Sequence, residues 1–169
     1  MKIPTKKECL KLLHKNKTPS NVIGHSKAVC KVADNIAKKL AGEGVKSNKN
    51  LVIAAALLHD IERLKENHVI KGARLLKKLG YPEIAEVVKK HSLYKLEEKD
   101  RQPATWEEKI VFYADKKVMG NKIVSLKERF HALEQIYKVN LSKEFKFTKE
   151  IEKELFGKIK CNKKYKLHY

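Results

Sequence analysis

At 169 residues the chain is long enough to bury a core without disulfide or metal staples, so a bound metal would serve function rather than rescue folding. Its 39 basic and 20 acidic side chains give a formal charge of +19, which either solvates the surface or draws in phosphate-bearing partners, nucleotides and nucleic acids alike. Three cysteines without C-x-x-C spacing (Cys9, Cys30, Cys161) exclude a disulfide framework and a thiolate zinc site, and no stretch approaches the ~20 apolar residues of a membrane span.

The pattern reads as helix after helix. Thr5 caps a short first helix in "PTKKECLKLLHKN", a segment without the apolar run of a secretory signal, which points to a cytoplasmic protein. Ser20 is the expected cap of a second helix that closes at Gly42 and Gly44. Val22, His25, Val29, Val32, Ile36 and Leu40 form its apolar face, so a histidine lies on that face. Polar caps at Ser47, Asn48 or Asn50 precede "NLVIAAALLHDIERLK", apolar all round and rich in alanine, as a buried helix would be. It runs into His59 and Asp60.

Asn67 caps "HVIKGARLLKKLG", whose stripe of His68, Gly72, Leu75 and Leu79 ends at Gly80. Pro82 opens "PEIAEVVKKH", with Ile84, Val87, Val88 and a closing His91 on one side. The polar stretch 92–104 reads as a lid or binding loop. Thr105 and Glu108 form a capping box for a helix whose stripe is Val111, Asp115 and Val118. Two amphipathic helices in "SLKERFHALEQIYKVN" and "TKEIEKELFGKIKCNKKY" and a basic tail complete the chain. Strand signals are confined to pieces such as "KIVFY", so the expectation is one all-α domain over residues 1–169 with seven or eight helices.

One histidine on an apolar face is ordinarily a hydrogen-bonded core residue. Here His25, His59 with Asp60, His68, His91 and Asp115 sit on or beside the core-facing stripes of five helices. Two carboxylates in a core cost several kcal/mol each unless they are paired. Divalent metal satisfies imidazoles and carboxylates together; nitrogen and oxygen donors suit iron, manganese, cobalt or zinc, with iron or manganese favoured where open positions remain.

"GHS" at Gly24 to Ser26, the His59-Asp60 doublet ending an apolar helix, and Asp115 in "YADK" together resemble the HD-domain superfamily of metal-dependent phosphohydrolases. His68 in "HVIKGA" and His91 in "VVKKHS" resemble the extra ligands of its binuclear branch, which includes HD-type dinucleoside tetraphosphate hydrolases and HD-GYP cyclic dinucleotide phosphodiesterases. The resemblance implies an HD-type helical bundle with a metal core over about 20–120 and a C-terminal helical extension over about 125–165. It also implies two metal ions, iron or manganese before zinc, cobalt, nickel or magnesium. His25, His59, Asp60 and Asp115 would hold one, and Asp60 would bridge to a second held by His68 and His91. A hydroxide between the two metals would attack phosphorus in a nucleotide or other small phosphate ester or anhydride. Asp60 thus joins the catalytic group, with Arg63 and Lys116 as hands for the phosphate.

There are departures from that branch. The chain has no GYP signature, only seven residues separate Asp60 from His68, and the helices after about Ser125 match nothing assignable. The ligand set also resembles that of di-iron HD oxygenases such as myo-inositol oxygenase and the phosphonate-cleaving enzymes, so an oxygenase is the second expectation. A basic nucleic-acid-binding helical module is the third, although the aromatic residues look too few and dispersed for a base-stacking platform. His14, His131 and His168 read as surface or packing residues, Glu62 as a solvated helix-end glutamate rather than a proton shuttle, and Trp106 with Tyr113 as core.

Overall fold

A computed structural model of the chain describes residues 2–159; Cys161, His168 and the basic tail lie outside the described residues. Within them eight α-helices and one short hairpin make up the regular structure, as an all-α chain requires. α1 (Lys6–Lys15) carries the expected capping box between Thr5 and Glu8. α2 (Ser20–Gly42) differs at its start: Pro19 occupies the cap position, and Ser20 is the first helical residue.

α3 (Lys49–Leu58) is capped by Asn48, whose side-chain oxygen accepts the Leu51 N–H at 3.1 Å. Every residue from Leu51 to Leu58 is buried, because α1, α2, α5 and α6 pack around this helix. Burying one such leucine or isoleucine contributes about 1.5–3 kcal/mol. The helix stops at Leu58 instead of continuing through "HDIERLK". The turn that follows is tied to the start of the chain, where the Ile61 carbonyl accepts bonds from Asn16 Nδ2 (2.7 Å) and Thr18 Oγ1 (3.2 Å). Tight turns replace the ladder, with Ile61 N–H on the Leu58 carbonyl and Arg63 N–H on that of Asp60.

α4 (His68–Lys78) follows Asn67, which sits in the left-handed region at φ 52° and makes no side-chain cap bond. Gly72 brings α4 close to Ile61 and Val88, where even an added Cβ would lie 3.5 Å and 3.8 Å away. α5 (Pro82–Lys89) ends before His91, and segment 92–104 contains one short 3-10 turn, Lys99–Arg101. Buried Leu96 anchors that segment, Gln102 donates to the Leu96 carbonyl, and Lys89 pairs with Asp100 at 2.9 Å.

α6 (Trp106–Lys116) has the expected Thr105–Glu108 box and absorbs "KIVFY". After it comes a hairpin the pattern did not suggest, β1 (Val118–Met119) against β2 (Lys122–Ile123), turning at Gly120 with φ +60°. α7 (Leu126–Tyr137) opens on a Ser125–Glu128 box. α8 (Ser142–Lys158) starts earlier than expected because Phe145 and Phe147 are recruited to packing, edge-on to Phe130 at 5.2 Å and Phe112 at 5.9 Å. Trp106 is partly buried against the core and Tyr113 lies within it, while His14 and His131 are exposed. No helix among the described residues is long and apolar enough to cross a membrane.

Candidate metal centre

The end of α3, the start of α4, the end of α5, one face of α2 and the end of α6 converge on one point. There the six residues His25, His59, Asp60, His68, His91 and Asp115 come together. The imidazoles form a chain, with ring centres 5.3 Å apart for His25–His59, 4.9 Å for His59–His91 and 6.0 Å for His68–His91. Two groups of three residues have ligand atoms close enough for one cation each: His25, His59 and Asp115, and His59, Asp60 and His91.

Three of the rings are oriented by backbone carbonyls. Nδ1 of His59 donates to Ala56 O at 2.8 Å, Nδ1 of His91 to Val88 O at 2.6 Å, and Nδ1 of His25 to Gly120 O at 2.8 Å. A neutral ring that donates from Nδ1 turns a bare lone pair inward from Nε2, as metal-ligating histidines do. The His59 lone pair meets Asp60 Oδ2 at 3.6 Å and Asp115 Oδ1 at 3.7 Å, beyond hydrogen-bond reach. Neither His59 Nε2 nor Asp60 Oδ1 has a hydrogen-bond partner, although both are buried. Lone pairs that face lone pairs across such gaps need a cation between them, so this donor set fits divalent metal.

The two oxygens of Asp60 face different ways. Oδ2 looks toward His59, while Oδ1 looks toward His68 at 3.3 Å and His91 at 3.6 Å. Burial alone would raise the Asp60 carboxyl, but the surrounding imidazoles of His59, His68 and His91 hold it well below the usual carboxylate range. Asp115 is likewise held low despite its burial, chiefly by the Lys116 ammonium and then by His25. For His25, burial is outweighed by Asp115, 3.0 Å away, and the imidazole is pushed up.

His59 goes the other way, since burial drives it down to about 4. Between that value and the ordinary ~6.5, the unfolded chain holds a proton on this residue that the folded chain lacks, so stability falls as pH falls. His25 contributes with the opposite sign: its share is present below ~6.5 and is lost as pH rises through its raised folded value. Acidifying chelator-treated protein from pH 7 to pH 5 should cost on the order of 2 kcal/mol through His59. Urea midpoints at both pH values check this; a His59→Asn variant with the same pH dependence as the wild type would contradict it.

The sequence-predicted cations are placed differently from each other. Arg63, 40% exposed, puts Nε 3.8 Å from Asp60 Oδ2 and donates from a terminal nitrogen to His68 Nε2 at 3.1 Å. Lys116 is buried; its ammonium donates to Asp115 Oδ2 at 2.7 Å and to the His91 carbonyl, over the ring of Phe112. Glu62 is buried, not solvated, and pairs with Lys65 at 2.5 Å. The Gly120 carbonyl that orients His25 escaped sequence reasoning, although "GN" between extended residues is a hairpin signal. The orienting roles of Ala56 and Val88 carbonyls left no signal at all.

The centre opens into a cavity of about 830 Å³. Segment 92–104 and the α7–α8 region contribute to its wall, including Tyr94, Arg101, Arg129 and Tyr137. Three of the chain's four arginines border it, Arg63, Arg101 and Arg129.

The family model described as HD domain matches residues 22–120. Among curated proteins, the chain is 36% identical over 140 residues to a tRNA (cytidine(56)-2'-O)-methyltransferase of Picrophilus torridus, covering 75% of this chain and 40% of that protein. A protein of the same name in Thermoplasma volcanium is 33% identical over equal shares. An uncharacterized protein of Methanocaldococcus jannaschii is 34% identical over 126 residues, 66% of this chain and 75% of its own length. The chain thus spans well under half of either methyltransferase. No solved structure gives a significant match. With a family match that covers more than half its length and encloses all six residues of the centre, the chain belongs to the HD domain family.

Proposed function

We propose that the protein is a metal-dependent phosphohydrolase that cleaves a nucleotide or another small phosphate ester or anhydride at a binuclear centre. The observation that carries this reading is Asp60, whose two carboxylate oxygens face separate sets of imidazoles. When bound, two divalent cations supply a nucleophile by lowering the pKa of water towards ~7 and neutralise charge on the phosphoryl oxygens.

In this reading His25, His59, Asp60 and Asp115 would hold one cation, and His68 and His91, with Asp60 shared, would hold the other. Lys116 is a positioning residue: by gripping Asp115 Oδ2 it leaves Oδ1 turned to the centre. Arg63 stands half-exposed at the rim between Asp60 and the cavity, where its guanidinium can take a phosphoryl oxygen once released from His68. Iron and manganese suit the donor set best.

Two relatives carry tRNA in their names, and this chain has a charge of +19, so RNA phosphates belong among the candidate substrates. The test is phosphate release from nucleotides, dinucleoside polyphosphates and a phosphorylated RNA by anaerobically purified protein loaded with Mn²⁺ or Fe²⁺. Release from one class, lost in His59→Ala and Asp60→Ala, is expected. Equal release by those variants would remove the proposal, and oxygen consumption by the iron form with a polyol or phosphonate would favour an oxygenase instead.

A further inference from the structure

The cavity holds more than a phosphate needs. Its 830 Å³ lies toward the upper end of the range that small-molecule pockets occupy, and part of its wall comes from residues beyond the matched family region. Six cations border it, Arg63, Lys89, Lys95, Arg101, Lys116 and Arg129, against three acids, Asp60, Asp115 and Glu144. Lys116 is committed to Asp115, while Lys89, Lys95 and Arg101 pair with Asp100 and Glu98 in exposed ion pairs of the kind that contribute little, which a phosphate can replace.

Two tyrosines far apart in the sequence border this same cavity, Tyr94 from segment 92–104 and Tyr137 from the end of α7. They are 65% and 55% exposed, unlike Tyr113, which is buried. Tyr137 borders the cavity together with Arg63 of the rim. Arg129, in the same wall, has a buried Nε without a hydrogen-bond partner. Exposed aromatic rings beside cations at a cavity mouth are a combination that binds single-stranded nucleic acid, since rings stack on bases while cations track the backbone.

We infer that the cavity mouth is a single-stranded RNA cleft in which successive bases stack on Tyr94 and Tyr137 while Lys89, Lys95 and Arg101 hold backbone phosphates. The inference rests on the phosphohydrolase reading for the phosphate that enters the centre.

The experiment uses the full chain, stripped of metal, and a fluorescein-labelled single-stranded RNA of about twelve nucleotides, with affinity read by anisotropy over a salt series. Each stacked base is worth roughly five-fold or more in affinity, so Tyr94→Ala with Tyr137→Ala should weaken binding at least about ten-fold. Tyr94→Phe with Tyr137→Phe should retain it within about two-fold, and affinity should fall steeply with salt. No binding at ~0.1 M salt, undiminished binding by the double alanine variant, or equal affinity for the same DNA sequence would overturn the inference. Hydrolysis of p-nitrophenyl phosphate by the Mn²⁺-loaded wild type is run in parallel. Its absence beside tyrosine-dependent RNA binding would remove the reading of the centre and leave the cleft standing.

Discussion

Asp60→Asn is expected to leave the helices intact and to empty the centre, lowering retained metal well below one ion per chain and hydrolysis by roughly a thousand-fold or more. Groups that merely orient metal ligands are worth about 10- to 100-fold, and Asp60 does more than orient. It is the one side chain whose oxygens address both halves of the site, Oδ2 toward His59 and Oδ1 toward His68 and His91. Asparagine keeps the shape but removes the charge that two cations share, and its amide nitrogen cannot ligate. Metal analysis after desalting and circular dichroism on the same sample check the result. Two retained metals in the variant would show that Asp60 is not the bridge.

Lys116→Met should produce the largest loss of stability of any single surface-neutral change near the site. Lys116 is 3% exposed and its ammonium is 2.7 Å from Asp115 Oδ2, so the variant strands a buried carboxylate. Removing one partner of a buried ion pair costs about 3–5 kcal/mol. In a chain of this size that corresponds to a fall in melting temperature of about 10 °C. Two further results separate this account from simple loss of packing. Adding Asp115→Asn should restore much of the stability of the metal-free protein, because it removes the stranded charge. Mn²⁺ should stabilise Lys116→Met more than the wild type, because the cation replaces the missing ammonium beside Asp115. A double variant no more stable than Lys116→Met would contradict the pairing.

Local hydrogen bonding made the helix starts legible: Thr5, Asn48, Thr105 and the helix period around them needed only neighbouring residues to be read. The same period put His25, His68 and Asp115 on core-facing stripes, and their convergence could be anticipated because buried carboxylates need partners. What escaped depends on contacts distant in sequence. The turn after Leu58 is held by Asn16 and Thr18, more than forty residues before the Ile61 carbonyl they bond. Glu62 was legible as a helix-end residue but not as buried, since nothing local reveals which side of that turn the core covers. Lys116 resembled a phosphate hand until its inward course toward the His91 carbonyl was seen. The contribution of Arg129 and Tyr137 to the cavity could not be read at all, because amphipathic spacing says that a helix packs and not where.

The same distinction explains why the hairpin matters to a chain of helices. Its turn at Gly120 supplies the carbonyl that fixes His25, so two residue pairs of strand position a candidate ligand on another helix. Residues that gather at the candidate centre were visible from their types; residues that orient them were visible only in three dimensions.

The most direct measurement is the rate of phosphate release as Mn²⁺ is added in known equivalents to the metal-free chain. The binuclear account predicts little activity up to one equivalent, a rise that completes near two, and no such rise in Asp60→Asn. Full activity at one equivalent, or phosphate release independent of added metal, would contradict it.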